Sequence, residues 1–413
     1  MEAFVVRGGR KLEGTMRVDG AKNAALPILA ASVLTEETVV LQGVPMISDV
    51  RKMTDILTML GCQIRRDGHT LTLDAGGLNR TEMPDALSKQ IRSSIFLLGP
   101  ILSRFRQATV TYPGGCEIGL RPIDLHLSGL RSLGVAIHEE GGVIHCDGGN
   151  MHSGEVHLDY PSVGATENIL MAAALAKGTT RIENAAKEPE IADLCDFLTQ
   201  MGAHISGGGT STILIEGRET LHGCRYRPIP DRIEAGTLLC AAAMTEGSVL
   251  LRGVRPEHMR AVLYKLGESG VTLRESAAGL RLSGRATQPL QVRTLAYPGF
   301  PTDMQAPMMA LALSLRGTSV FLETIFENRF MHAREMVRMG ASIRIEDRIA
   351  LVSGGHPLGG TSVTSTDLRG GAALVIAGFT PQEICVMLGM SLNGVYTLKS
   401  KLKRRIAESA APE

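Results

Sequence analysis

The sequence predicts an α/β protein of two domains, assembled from a repeated strand–helix–strand–helix–strand unit. Three observations predict it. An apolar–glycine–apolar signal closes a helix at Gly61, Gly134, Gly202, Gly270 and Gly340, recurring about every 70 residues. Each copy opens with small apolar residues at helical length and runs on into a β-rich stretch. The 413 residues exceed one ordinary core, which makes two domains the expectation.

Taken in order, the first helix, turn and strand of the copies read "AALPILAASVLTEETVVLQGV", "SSIFLLGPILSRFRQATVTYPG", "ATENILMAAALAKGTTRIENAA", "AGTLLCAAAMTEGSVLLRGV" and "MQAPMMALALSLRGTSVFLETI". Their second helices end in "MLGCQI", "SLGVAI", "QMGAHI", "ESGVTL" and "RMGASI". Glycine there supplies a left-handed C-cap, and the β-branched residues after it start a strand. A sixth copy opens at "TDLRGGAALVIAG", where Asp367 takes the slot of Asp303 in "TDMQAPMMALAL". The chain then departs, reading "FTPQEICVMLGMSLNGVYTLKSKLKRRIAESAAPE". No strand of the expected kind is predicted. A capping box, "TPQE", is expected to start a helix over "ICVMLGMS", with a basic helix over "NGVYTLKSKLKRR". This tail resembles the last two helices of a bacterial regulator's DNA-binding domain, or is simply a basic, solvent-facing amphipathic helix.

Composition excludes several classes. With 43 basic against 42 acidic residues the net charge is +1, so no broad attraction to nucleic acid or membrane is expected. The start lacks a signal peptide's apolar stretch, and runs such as "APMMALALSL" are too short to span a bilayer. The seven cysteines form no CxxC pair, which argues against zinc and disulfides and for a reducing cytoplasm. No Walker loop and no GxGxxG after a strand is present, in keeping with chemistry that needs no metal or organic cofactor.

Some residues are placed for chemistry. Cys116 stands behind Gly114 and Gly115 with Arg121 nearby, the setting of an accessible thiolate on a lid; a buried, inert cysteine is the alternative. Asp303, Asp367 and Asp231 each stand where an apolar helix begins, as helix caps or as functional carboxylates. Lys22, Arg92 and Arg121 stand beside small residues at helix or loop starts, where backbone N–H groups would join them in holding an anion; ordinary solvated surface charge is the alternative.

From about residue 1 to 378 the sequence resembles the enolpyruvyl transferases, and among them those acting on UDP-N-acetylglucosamine. The matching stretches are "GAKNAALPILAA", "IRSSIFLLGP", "PGGCEIGLRPIDLH", "SVGATEN", "IENAAKEPEI", "PDRIEAGT", "FPTDMQA", "ETIFENRFMH" and "TDLR". The resemblance implies a two-domain, inside-out α/β barrel of six βαβαββ-type repeats, the sixth incomplete here. One domain would be residues 22–229 and the other residues 1–21 with 230–378, leaving 379–413 as a helical basic tail. Substrates would lie in the cleft between the domains.

The implied reaction adds the 3′-hydroxyl of UDP-N-acetylglucosamine to phosphoenolpyruvate and expels phosphate, the first committed step of peptidoglycan synthesis. It needs an acid, a base and cations for its anions. By resemblance Cys116 is the proton donor and Asp303 the group near the attacking hydroxyl. Lys22 and Asn23 contact phosphoenolpyruvate and sugar, Arg121 the phosphate, and Arg92 the nucleotide sugar. Arg121, Pro122, Ile123, Asp124 and Leu125 line the uracil side, Ser162, Val163 and Gly164 the diphosphate, and Ile325 the sugar. Asp231, Arg232, Asp367 and Arg369 match family positions whose roles stay open. Two departures stand out: Tyr160-Pro161 replaces a lysine that many relatives carry, and the family's final-repeat arginine stretch, "HIDRGYE"-like, is absent. Losing a cation on the transferring phosphate would cost several kcal/mol of transition-state stabilisation. A protein that binds the nucleotide sugar without turnover is therefore the alternative, and a DNA-binding regulator a third that the net charge disfavours.

Overall fold

The structure, a computed structural model, describes residues 2–83, 92–112, 123–379 and 384–388; of residues 2, 3, 92 and 384–388 it describes the backbone. The described residues fall into two compact units, one of residues 20–229 and one of residues up to 19 with those from 230 onward.

The chain opens with β1 (Glu2–Val6) and β2 (Glu13–Arg17), both of the second unit, and then builds the first. One copy of the repeat is α1 (Lys22–Ala31), β3 (Val39–Gln42), α2 (Ser48–Leu60) and the hairpin β4 (Gln63–Asp67)–β5 (Thr70–Asp74). The next is α3 (Leu98–Phe105), β6 (Gln107–Thr111), α4 (Asp124–Ser132), β7 (Ala136–Glu140) and β8 (Val143–Asp147). The third is β9 (Glu155–His157), α5 (Val163–Ala173), β10 (Gly178–Glu183), α6 (Pro189–Gln200), β11 (His204–Ser206) and β12 (Thr212–Gly217). After it β13 (Arg225–Tyr226) returns to pair parallel with β3.

The second unit continues with α7 (Arg232–Met244), β14 (Ser248–Arg252), α8 (Arg260–Glu268), β15 (Thr272–Ser276) and β16 (Gly279–Ser283), to which β2 adds as a parallel edge. There follow β17 (Gln291–Arg293), α9 (Gln305–Ala312), β18 (Gly317–Leu322), α10 (Met331–Arg338), β19 (Ser342–Glu346) and β20 (Ile349–Gly354). Last come β21 (Ser362–Ser365), α11 (Leu368–Ala377) and β22 (Ile384–Leu388).

Six small sheets result, and none closes on itself among the described residues. Helices α1, α5, α7, α9 and α11 are rich in small and apolar residues and bury nearly every one, with a few polar side chains such as Thr166, Glu167 and Asn168 buried among them, so they form the inside of their unit. The second helices are amphipathic: α2 buries Val50, Met53, Ile56, Leu57 and Leu60, a stripe at helical spacing. The strands alternate, as β10 and β12 show, with one face on the core and one in solvent.

All five predicted cap glycines are left-handed, at φ 113° for Gly61, 80° for Gly134, 104° for Gly202, 103° for Gly270 and 94° for Gly340. Beyond four of them the next N–H reaches back into the helix: Cys62 to Leu57, Val135 to Leu130, Ala203 to Leu198 and Ala341 to Met336, at 3.0–3.2 Å.

The sixth copy corrects the sequence expectation. Residues 384–388, "ICVML", are not helix but strand β22, parallel to β21 and antiparallel to β1. A five-residue apolar run carries no period of its own, and two waiting strands decide its conformation. In the neighbouring copies the second strand lies between a parallel edge and an antiparallel hairpin strand, as β18 lies between β17 and β20. In the sixth, β1 takes the hairpin strand's place. The start of the chain thus supplies a strand that the end was expected to lack. The proposed capping box and the basic helix lie outside the described residues.

Candidate active site

In each unit the candidate residues gather where the buried helices begin. In the first, Lys22 starts α1 after Ala21, whose N–H is bonded to the Ile229 carbonyl. Its Nζ lies 2.6 Å from Asp49 Oδ2, an acid in the first turn of α2 that orients the ammonium. Asn23 follows, half-buried. Arg92 opens the 3-10 turn Arg92–Leu97.

Ser162 caps α5, its Oγ accepting the Ala165 N–H at 3.3 Å and its carbonyl the Thr166 hydroxyl at 2.8 Å. Val163 and Gly164 follow, in the turn whose N–H groups have no carbonyl a turn earlier. Ile123 is buried at the start of α4, Asp124 is exposed and Leu125 packs on the core. Gly129 lets α4 approach α5, since a Cβ there would stand 2.4 Å from Ile169 Cδ1. The contact of His126 with Gly164 therefore brings residues 124–126 and 162–164 side by side. Cys116, Arg121 and Pro122 lie outside the described residues. The described cysteines are unlike an accessible thiolate: burial pushes the Cys62, Cys146 and Cys195 thiols up to about 12 and that of Cys224 up to about 11.

In the second unit the aspartates at the three slots differ. Asp231 caps α7, accepting from the N–H groups of Ile233 and Glu234 at 2.9 and 3.0 Å. Asp367 caps α11, accepting from Arg369 and Gly370 at 3.0 Å each. Asp303 lies between two N-cap positions, Pro301 and Met304, neither of which makes a side-chain cap bond. Its carboxylate is held by two guanidiniums, Arg329 Nη2 at 3.1 Å from Oδ1 and Arg369 Nη2 at 2.8 Å from Oδ2. Arg329 Nη1 also stands 3.9 Å from Asp367. Burial works against the charge on Arg369, but Asp303, Asp231 and Asp367 outweigh it and raise the guanidinium above its ordinary value. The Arg232 guanidinium lies over the Tyr297 ring, 5.5 Å from its centre.

Three residues of this site escaped the sequence. Arg329, 3% exposed, clamps Asp303. Glu323 is buried and fully used: Oε1 accepts from the Thr294 hydroxyl and the Ile325 and Phe326 N–H groups at 2.9–3.2 Å, and Oε2 from the Thr302 hydroxyl at 3.0 Å. It thereby fixes both Ile325 and the residue before Asp303. His332, fully buried, is pushed by burial down to about 4, with Asp367 opposing and Arg329 assisting. The signal was present in "ETIFENRFMH", where Glu323, Arg329 and His332 stand among Ile325, Phe326, Phe330 and Met331.

A carboxylate gripped at both oxygens is fixed in orientation yet keeps lone pairs for a hydroxyl proton. Comparison with known proteins fits this chemistry. The family profile "EPSP synthase (3-phosphoshikimate 1-carboxyvinyltransferase)" matches residues 6–389. The chain belongs to the enolpyruvyl transferase family.

Among its relatives is UDP-N-acetylglucosamine 1-carboxyvinyltransferase 1 of Carboxydothermus hydrogenoformans, 47% identical over 391 residues, 94% of this chain and 93% of the relative. The protein of the same name in Staphylococcus aureus is 46% identical over 415 residues, 99% of each chain. Among solved structures, the enolpyruvyl transferase NikO of Streptomyces tendae has a TM-score of 0.85 at 24% identity, over 93% of this chain and 92% of that one. EPSP synthase of Acinetobacter baumannii has 0.70 at 20%, over 97% and 96%. At these identities the two structures establish the fold of this family member.

Proposed function

We propose that the protein transfers the enolpyruvyl group of phosphoenolpyruvate to the 3′-hydroxyl of UDP-N-acetylglucosamine, releasing phosphate, as the cytoplasmic entry step of peptidoglycan synthesis. The observation that carries this is the identity of 46–49% to proteins of that name along 91–99% of the chain. The residues support it in their types and places. The sugar oxygen bonds to C2 while Asp303, steadied by Arg329 and Arg369, takes the hydroxyl proton. Cys116 gives a proton to the methylene carbon, making a tetrahedral intermediate. The methyl then gives a proton back as the C2–O bond to phosphate breaks, so sugar and phosphoenolpyruvate become the enolpyruvyl ether and inorganic phosphate. Lys22, oriented by Asp49, and Arg121 attend the phosphate. Arg92, Ser162, Val163, Gly164 and the 121–125 stretch hold the nucleotide, and Ile325 packs on the sugar, with Asn23 beside it.

Binding without turnover rests on the absent final-repeat arginine and on an incomplete sixth repeat. Strands β22 and β1 beside β21 answer the second ground, and the identity along nearly the whole chain to proteins named for the transfer disfavours the reading. The test is phosphate release from phosphoenolpyruvate with UDP-N-acetylglucosamine as acceptor, and separately with 3-phosphoshikimate. Release with the first alone is expected; release only with the second would overturn the proposal.

A further inference from the structure

His126 is joined to the diphosphate turn through one amide. Asn168 Oδ1 accepts the Gly99 N–H at 2.8 Å, which fixes the amide's orientation. Its Nδ2 then faces His126 Nδ1 at 2.8 Å. An amide nitrogen only donates, so Nδ1 accepts and the neutral ring carries its proton on Nε2. The same Nδ2 stands 3.5 Å from the Gly164 carbonyl. On the other side, the Cε1–Nε2 edge of the ring is pressed against Gly164: a Cβ added there would meet Cε1 at 2.9 Å and Nε2 at 3.1 Å. Ring and amide thus hold the Gly164 peptide from two directions, and no side chain fits at 164.

We infer that His126 is a positioning residue for the nucleotide sugar. It locks the turn at Ser162, Val163 and Gly164 so that the turn's N–H groups meet a diphosphate, and it touches no reacting atom. The inference rests on the proposed function, because that turn matters only if a nucleotide diphosphate is the ligand. Removing the Nδ1 acceptor takes the 2.8 Å partner from Asn168 Nδ2 and loosens the hold of ring and amide on the turn. The cost falls on the diphosphate, while the carbon chemistry at Asp303 is untouched.

The test compares His126→Phe, which keeps a ring but loses the acceptor, with His126→Gln, whose Oε1 can accept from Asn168. His126→Phe is expected to raise the KM for UDP-N-acetylglucosamine about tenfold, with kcat and the KM for phosphoenolpyruvate within about twofold, and His126→Gln to recover most of the loss. An unchanged KM for the sugar nucleotide would overturn the inference. So would kcat and both KM values worsening together with a lowered Tm, the mark of a merely structural role. Nitrogen NMR of the unmodified protein adds a check independent of variant folding: a proton found on Nδ1 of His126 would also overturn it. An unmodified protein that releases no phosphate sinks the function itself; an active one with an indifferent His126→Phe sinks only the role of His126.

Discussion

Acid should loosen the second unit through His332. The ring is wholly buried and burial disfavours its charged form; Asp367 and a hydrogen bond to the Arg329 backbone oppose this and the Arg329 guanidinium adds to it, so that it titrates at about 4. In the unfolded chain an imidazole titrates near 6.5, as an ordinary histidine does. Between these values the native state binds fewer protons than the unfolded one, so stability rises with pH across the window. The contribution is fully present above 6.5 and is lost as pH falls toward 4. Across the window it amounts to about 3 kcal/mol, at roughly 1.4 kcal/mol for each pH step. Urea unfolding of the wild type and of His332→Gln, followed from about pH 7 to about pH 4, measures it as the difference between the two. That difference should shrink by about 3 kcal/mol on acidification. A difference that stays level with pH would refute the reasoning. The loss matters to the site because a protonated His332 would set another cation against Arg329, which clamps Asp303.

Three further outcomes are expected. Arg329→Met removes a charge-assisted bond from Asp303 worth about 1.5–3 kcal/mol, so kcat for phosphate release should fall by about 10- to 100-fold, and an unaltered kcat would count against the clamp. Glu323→Ala strands several buried donors and should lower the unfolding free energy by about 3 kcal/mol or more, with a weaker hold on the sugar through Ile325; a loss below about 1 kcal/mol would contradict its anchoring role. Cys116→Ala should abolish turnover while Cys116→Asp keeps part of it, because a carboxylic acid can still donate; full activity in the alanine variant would remove the acid assignment.

What the sequence made legible was local. A C-cap needs only a glycine free to adopt positive φ, so Gly61, Gly134, Gly202, Gly270 and Gly340 announced the ends of five helices and hence the repeat. The largely apolar first helices likewise announced their burial. What escaped depends on residues far apart in the chain. Nothing near "ICVML" shows that residues 2–6 will lie alongside it, so local sequence predicts helix where a strand forms. Read locally, Asp303 stays open between a cap and a functional carboxylate, because its two partners, Arg329 and Arg369, arrive from later segments. Glu323 and His332 were invisible for the same reason: their meaning lies in what surrounds them after folding. The family resemblance put Asp303 among the candidate functional residues, and the fold sets Arg329 and Arg369 against it.

The account stands on a carboxylate, fixed by two arginines, that receives a sugar's proton while phosphoenolpyruvate gives up its phosphate. Mass spectrometry of the sugar nucleotide after incubation with phosphoenolpyruvate, run beside a phosphate count, addresses this most directly. One enolpyruvyl group found at the 3′-oxygen for each phosphate released is the predicted result. A sugar nucleotide that binds yet is recovered unaltered, with no phosphate set free, would contradict it.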